Sequence, residues 1–469
     1  MSAFSWTAES LAAATGGTVA AAGSGRSWTH VDTDTRRIGA GSVFVALQGE
    51  RFDGHDFVLD AVGSGASCVV VENPRTSESV QSAGPDCAVV AVPDTLVALG
   101  DLAALRRQAW TGELVGLTGS AGKTTTRCLV SAALGQSGSV HSTTGNWNNR
   151  IGLPLTLFGL HDEHDYAVLE MGTSEPGEIA ELARIADVQV GLITNIASAH
   201  LAGFGSLAGV AAEKSALFES LEATDTAVVN IDDDHVRAAG EPCRAARVTF
   251  GTSPLADVRV VGTRPAGPGR TEVALEVGGA AHQTTVEGMG EHMGINVAGA
   301  MGCAMALNLD VDSALAGMAE VALPPRRMAY REVGGLHLID DCYNSNPGSA
   351  AAALNTLAQR AGSARRVAIL GDMLELGPSA AGFHAELGAL AAASGVGFLV
   401  AVGEHAQDIL SGARSGVWEG RGFAAADSGE AIGLLKGTLK QNDWVLVKGS
   451  RGIALERVVD AIVGGEGIA

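Results

Sequence analysis

Three things are scarce in this chain, and each scarcity excludes a class of protein. Cysteine is the first: six in 469 residues, at positions 68, 87, 128, 243, 303 and 342, with no C-x-x-C pair. Neither a disulfide framework nor a zinc site is built from such spacing, and reduced thiols in a cytoplasmic chain are the plain reading. Positive charge is the second: 31 basic residues face 52 acidic ones, for a formal net charge of −21, and no long basic stripe interrupts the excess. That argues against nucleic acid or an anionic membrane as partner, but not against a small anion held by a local nest of amides and lysines. Long apolar runs are the third. The richest, residues 297–309, is too short to span a bilayer, so no membrane insertion is expected. The N-terminus shows no basic start followed by an apolar stretch and a small-residue cleavage site, so no export signal is expected either.

What remains is an ordinary globular composition, 46% apolar and 18% charged. A chain of 469 residues exceeds one core, and two to four domains is the expectation. The pattern divides into blocks at 1–84, 85–316 and 317–469. In the first, short apolar runs at 43–47 and 68–71 flank a helical stretch at 57–62, which predicts a small α/β domain. The second opens with an apolar strand at 88–92. Strands at 114–117, 167–169, 190–194 and 226–230 then alternate with helical segments that include 176–185 and 206–221. Such alternation reads as a parallel sheet covered on both faces. Period-2 runs at 257–261 and 272–277 predict a β excursion before a helix starting near 295. The third block repeats strand–helix alternation, with strands at 337–339, 367–370, 397–402 and 444–447 and helices at 349–359 and 383–393.

The chemistry concentrates at residues 116–125, G-L-T-G-S-A-G-K-T-T. A strand runs into a glycine turn, then Lys123, Thr124 and Thr125, then a helical segment. Gly119, Ser120, Ala121 and Gly122 would turn backbone N–H groups and a helix N-terminus toward phosphate. Lys123 would reach the β/γ oxygens, and the Thr124 hydroxyl would ligate Mg²⁺. The strict phosphate-loop pattern wants glycine at 117, where this chain has leucine and places glycines at 116 and 119 instead. A variant of the loop fits.

Other candidates lie after strands. Glu170 ends the strand at 167–169, where a carboxylate at the carboxyl end of a parallel strand suits a hard cation. His200 follows the strand at 190–194, and chemistry alone leaves a packed histidine as its default. Lys214 stands on a helix with apolar positions at 207, 210, 217, 218 and 221, and by itself reads as a surface lysine snorkelling off that face. Asp340 and Asn344, in D-D-C-Y-N-S-N-P, and Lys448 and Arg451, in K-G-S-R, follow two strands of the third block as polar loops.

Together these strings resemble the cytoplasmic Mur ligases. The resemblance rests on D-T-R at 34–36, G-S-V-F-V-A-L-Q-G-E at 41–50, D-G-H-D-F at 53–57 and T-G-S-A-G-K-T-T at 118–125. It continues through T-T-G-N-W-N-N-R-I-G-L-P at 143–154, E-M-G-T-S-E-P-G-E-I at 170–179, T-N-I-A-S-A-H-L at 194–201, G-D-M-L-E-L-G at 371–377 and V-K-G-S-R at 447–451. It implies a three-domain α/β architecture: a small N-terminal domain, a central parallel sheet of the phosphate-loop ATPase kind and a Rossmann-like C-terminal domain.

The function it implies is an ATP- and Mg²⁺-dependent amide ligase, monomeric and cytoplasmic, joining D-alanyl-D-alanine to a UDP-N-acetylmuramoyl-tripeptide. Lys123 and Thr124 would then hold the ATP phosphates and Mg²⁺, with Glu170 and His200 completing the metal ligands. Lys214 matches a helix lysine that sister ligases carbamoylate, and whether it is modified here stays open. Asn296 would lie on the adenine side, with Asp340 and Asn344 near ribose and phosphates. Thr35, Arg36, Thr143, Thr144, Asn148, Asn149, Lys448 and Arg451 would bind substrate. The family's P-G-R before the third domain is P-P-R-R at 324–327 in this chain, and either Arg326 or Arg327 could be the nucleotide arginine.

Overall fold

The computed structural model describes residues 4–25 and 27–465. They fall into two compact units. The first comprises residues up to 116 with 138–173 and 177–189; the second comprises 117–137, 174–176 and 190 onward.

The first unit carries a five-stranded sheet of β1 (Thr18–Ala21), β2 (His30–Asp32), β3 (Ser42–Val45), β4 (Ala66–Glu72) and β5 (Ala88–Val92), in the order β1-β5-β4-β3-β2. β2 to β5 run parallel and β1 closes one edge antiparallel. Successive side chains point to opposite faces. Val43, Val45, Val70 and Val90 therefore join Trp6, Leu11 and Leu99 in one core, while Phe44, Val69, Val71 and Val89 join Val58 and Ala61 in another. Burial of both faces explains why these strands read as unbroken apolar runs. The strand at 88–92, expected to open the central block, instead pairs with β4 and β1 and completes this N-terminal sheet. The helix Thr95–Gln108 follows it, with Asp94 accepting from Leu96 N and Val97 N at 2.8 and 2.9 Å.

β6 (Glu113–Thr118) belongs to both units, divided after Gly116. The first unit also holds the parallel pair β7 (Val140–Ser142) and β8 (Tyr166–Glu170). In the second unit β9 (Val190–Ile193), β10 (Thr226–Asn230), β11 (Ala246–Gly251) and β12 (Val258–Pro265) pair in parallel succession. β13 (Arg270–Val277) and β14 (Ala280–Glu287) then turn back antiparallel, as the period-2 pattern predicts. Gly278 and Gly279, at φ +58° and +82°, form the two-residue turn between them, which needs positive φ at both positions. The following helix, His292–Ala306, is buried along most of its length, so the richest apolar run in the sequence is core. Among the described residues no helix is long and apolar enough to cross a membrane.

The second unit also contains a six-stranded sheet of β15 (Ala329–Val333), β16 (Leu336–Asp341), β17 (Arg366–Gly371), β18 (Val396–Val402), β19 (Arg421–Ala425) and β20 (Trp444–Lys448). Its order is β15-β16-β20-β17-β18-β19, parallel except for β15. The last strand, β20, inserts between β16 and β17. The loops after β16, β17 and β20 consequently emerge together at the carboxyl ends of adjacent strands, where open α/β sheets place ligands.

Candidate active site

The phosphate loop leaves the end of β6 and is held by the loop that leaves β9. Ser120 N donates to Asn195 O and Ala121 N to Asn195 Oδ1, both at 3.0 Å, while Asn195 Nδ2 returns a bond to Ala121 O at 3.0 Å. Thr194 Oγ1 donates to Ala121 O at 2.7 Å, and Ser120 Oγ exchanges bonds with the Ala197 backbone at 2.9 and 3.0 Å. The glycines are demanded by space: a Cβ on Gly119 would lie 1.8 Å from Thr194 Oγ1, and one on Gly122 2.7 Å from Asn296 Oδ1. Gly122, at φ +80°, begins the helix Lys123–Leu134 and aims its N-terminus at the loop. Lys123 Nζ donates to Gly119 O at 2.6 Å, so its ammonium folds back over the loop, and Thr124 is buried at the helix start. Asn296 is buried, and its Oδ1 accepts from Thr126 Oγ1 at 3.3 Å. Thr194 and Asn195 were not among the expected site residues. Their signal was the T-N-I-A string after a strand end.

His200 ends the same loop, and its Nδ1 is hydrogen bonded to the Glu375 carboxylate. Burial lowers its pKa from the ordinary histidine value, and the facing Glu375 opposes that effect. Lys214 is not the surface lysine that its helix suggested. It lies in helix Leu207–Glu219 at 1% exposure, and burial, with Lys123 nearby, pushes its pKa well below the usual lysine range.

In the third block the structure turns two expected ligand-facing residues inward. Lys448 is 2% exposed, with Nζ 2.6 Å from Asp341 Oδ2 and 3.0 Å from Asn344 O, so it pins the loop after β16 to β20. Asp340 is fully enclosed, with Oδ1 accepting from Cys342 Sγ at 3.0 Å, and burial raises its carboxyl pKa. Asn344 Oδ1 accepts from Ser345 N at 2.9 Å. Asn346 caps the helix Pro347–Ala361 and extends Nδ2 to Ser120 O at 3.1 Å. Arg326 has φ +66°, a backbone conformation that favours glycine, and its guanidinium lies 4.0 Å from Glu456. Arg327 lies over the Tyr343 ring at 4.0 Å and Arg451 over the same ring at 5.3 Å.

The first unit holds a groove of 840 Å³ lined by the turn 33–37, by Phe44, Phe52 and Phe57, and by Trp147, Asn149 and Ile151. Thr35, Arg36 and Asn149 therefore share one concavity. Asp32 Oδ1 shapes the turn by accepting from Thr33 N and Asp34 N at 2.7 and 2.9 Å, and Arg37 stacks on Trp147 at 4.8 Å. Arg36 reaches Asp34 at 2.7 Å and holds that carboxyl at about 2. Thr143, Thr144 and Asn148 do not line the groove. Thr143 is buried and its Oγ1 accepts from Glu170 N at 3.0 Å; Asn148 Nδ2 donates to Glu170 Oε1 at 2.8 Å. Thr143 thus holds the Glu170 backbone and Asn148 its carboxylate. D-G-H-D-F is also structural: His55, 6% exposed, bridges Asp53 at 2.6 Å and Glu72 N at 2.9 Å.

A glycine cradle with a lysine at a helix N-terminus, beside strand-end loops of a second α/β layer, defines a nucleotide-dependent α/β enzyme. Three family models match the chain in succession: "Mur ligase family, catalytic domain" over 27–107, "Mur ligase middle domain" over 117–304 and "Mur ligase, glutamate ligase domain" over 326–451. The UDP-N-acetylmuramoyl-tripeptide–D-alanyl-D-alanine ligase of Escherichia coli (strain K12) is 36% identical over 92% of this chain and 93% of its own. Crystal structure I of MurF from Acinetobacter baumannii superposes with a TM-score of 0.89 at 30% identity, covering 99% of this chain and all of that one. The MurF ligase of Thermotoga maritima in complex with ADP gives 0.81 at 27% identity over 93% and 97%. The chain belongs to the Mur ligase family and has its three-domain α/β architecture. It is an ATP-dependent ligase of that family, forming amide bonds on UDP-N-acetylmuramoyl peptide precursors.

Proposed function

We infer that this ligase adds D-alanyl-D-alanine to a UDP-N-acetylmuramoyl-tripeptide in the cytoplasm, acting as a monomer. The observation that carries the ATP half is the phosphate loop, with Lys123 folded over it and Thr124 buried at the helix start. The acceptor half draws on the relatives' named activity over 92% of the chain and on a groove large enough for a nucleotide sugar.

The tripeptide carboxylate attacks the γ-phosphorus of ATP, ADP departs, and an acyl phosphate forms. The dipeptide amine then attacks the acyl carbon, and phosphate leaves from a tetrahedral intermediate. Lys123 neutralises charge on the transferring phosphoryl group, while the loop amides and the helix N-terminus hold the remaining phosphates. Asn296 lies beside the cradle on the adenine side of this reading, and Asn344 near the ribose.

The donors suit Mg²⁺. The Thr124 hydroxyl and the Glu170 carboxylate, the latter oriented by Asn148, are the hard oxygens it prefers, and burial lowers the pKa of His200. When bound, Mg²⁺ would supply charge neutralisation at the phosphates. Lys214 suits a carbamate. Its burial next to Lys123 disfavours the ammonium and leaves the neutral amine that reacts with CO₂, giving an anionic oxygen ligand. Of the two arginines, Arg327 is assigned to nucleotide. Arg326 occupies the left-handed position that the family's P-G-R gives to glycine.

A phosphate-release assay tests the whole reading. Release should require ATP, the UDP-tripeptide and D-alanyl-D-alanine together. Equal release with the dipeptide omitted, or replaced by a single amino acid, would reject it.

A further inference from the structure

Two non-glycine residues of the second unit hold left-handed backbone where they meet: His200 at φ +54° and Glu375 at φ +65°. Such a conformation persists in a non-glycine residue only where its surroundings impose it. Each residue here helps to hold the other. His200 Nδ1 is bonded to the Glu375 carboxylate, and Ala202 N, two residues on, donates to Glu375 O at 3.0 Å. The two segments come from different blocks. One leaves β9 and, through Asn195 and Ala197, holds the phosphate loop; the other leaves β17 in the third block. A carboxylate oxygen accepts the bond that Nδ1–H donates, which leaves Nε2 as the ring nitrogen with a lone pair in that tautomer. The Glu375 side chain is 56% exposed, so the bond is made at the surface end of the β17 loop.

We propose that Glu375 is a positioning residue that fixes the tautomer and ring direction of His200, presenting Nε2 as the lone pair available to the nucleotide-bound cation. Because Glu375 arrives on the β17 loop, the histidine is set only while that loop is docked on the segment after β9. This hydrogen bond thereby couples nucleotide grip to third-block docking. The proposal rests on reading the phosphate loop as an ATP·Mg²⁺ site.

The test uses the full chain with ¹⁵N-labelled histidine, first without nucleotide or metal. Two-bond ¹H–¹⁵N correlation spectra, assigned with His200→Gln, should show Nδ1 of His200 as the protonated nitrogen. Glu375→Ala should move the proton toward Nε2. Glu375→Gln, whose amide oxygen still accepts, should retain the parent tautomer in part. Calorimetry with ADP and Mn²⁺ should show Mn²⁺·ADP affinity falling about 10- to 100-fold in Glu375→Ala, with metal-free ADP little changed. Glu375→Asp, which draws the carboxylate back by one methylene, should repeat both effects and serves if the alanine variant does not fold. An unchanged His200 tautomer, or parent Mn²⁺·ADP affinity in a variant that has lost Glu375, overturns the proposal. A parent chain that binds no nucleotide would instead reject the ligase reading, and the spectra would still decide whether Glu375 sets the tautomer.

Discussion

Asn346 joins two jobs in one side chain. Its Oδ1 caps the helix Pro347–Ala361 by accepting from Ser349 N at 2.9 Å, and its Nδ2 donates to Ser120 O in the phosphate loop at 3.1 Å. The two functions can be separated chemically. Asn346→Asp keeps the acceptor and loses the donor. It should melt within a few degrees of the parent but bind ATP several-fold more weakly. Asn346→Ala should lose both, including about 1 kcal/mol of helix capping. Thermal melts with ATP titrations check this; equal ATP affinity in all three proteins would remove the contact from any role in nucleotide binding.

Lys123→Ala should abolish ligation and spare UDP-tripeptide binding. Loss of a cation that stabilises a transferring phosphoryl group in a dry site costs about 3 kcal/mol or more, roughly 10² in rate at least. Turnover is compared with calorimetry of UDP-tripeptide binding. A variant keeping more than about a tenth of parent rate would not support Lys123 as the phosphoryl-stabilising group.

Lys214→Ala should lose most activity, and added short carboxylates should restore part of it. Turnover of the parent should fall in buffers stripped of bicarbonate and recover when it is returned. Near-parent turnover in Lys214→Ala would eliminate both the carbamate and any direct role for this lysine.

Arg326 and Arg327 should part company on substitution. Arg326→Gly places the residue with no Cβ penalty at φ +66° and should leave the ATP KM near parent while holding or raising stability. Arg327→Ala should raise the ATP KM. Steady-state kinetics on both variants decide the matter, and a reversed pattern would reassign the nucleotide arginine.

Stability should fall on the acid side through buried neutral histidines. His384 is fully buried, accepts at Nε2 from Met373 N at 2.8 Å and faces Ala380 O with Nδ1 at 2.7 Å; burial is the main cause of its lowered pKa. A folded pKa below the unfolded value means that the unfolded chain takes the proton first. The stability is therefore complete above the unfolded value of about 6.5 and is lost as pH falls through the lower folded value. His384→Gln should melt lower near neutral pH but lose less Tm on acidification. An equal Tm slope in parent and variant would exclude His384 from the effect.

The phosphate loop could be read from sequence because its chemistry is local. Glycines, lysine and threonine stand consecutively between a strand and a helix, and backbone geometry alone brings them to one anion. The β13–β14 hairpin was legible for the same reason: an alternating pattern and two glycines determine it within a few residues. Both sides of the groove in the first unit also carry strings that stand out in the sequence.

Tertiary structure decided what depends on distant partners. An apolar run shows that a strand is buried but not which sheet it joins, so β5 was placed with the central block until its pairing with β4 and β1 was known. Helical periodicity made Lys214 a surface residue, and only packing revealed its burial. Thr143 and Asn148 bond to the backbone and carboxylate of Glu170, 27 and 22 positions away, which their own string does not show. Lys448 and Asp341 meet across 107 positions, and His200 and Glu375 across 175. No local pattern encodes such pairs. A charge's partner is chosen by the fold, because desolvating an ion is tolerable only where a complementary group has been brought to it.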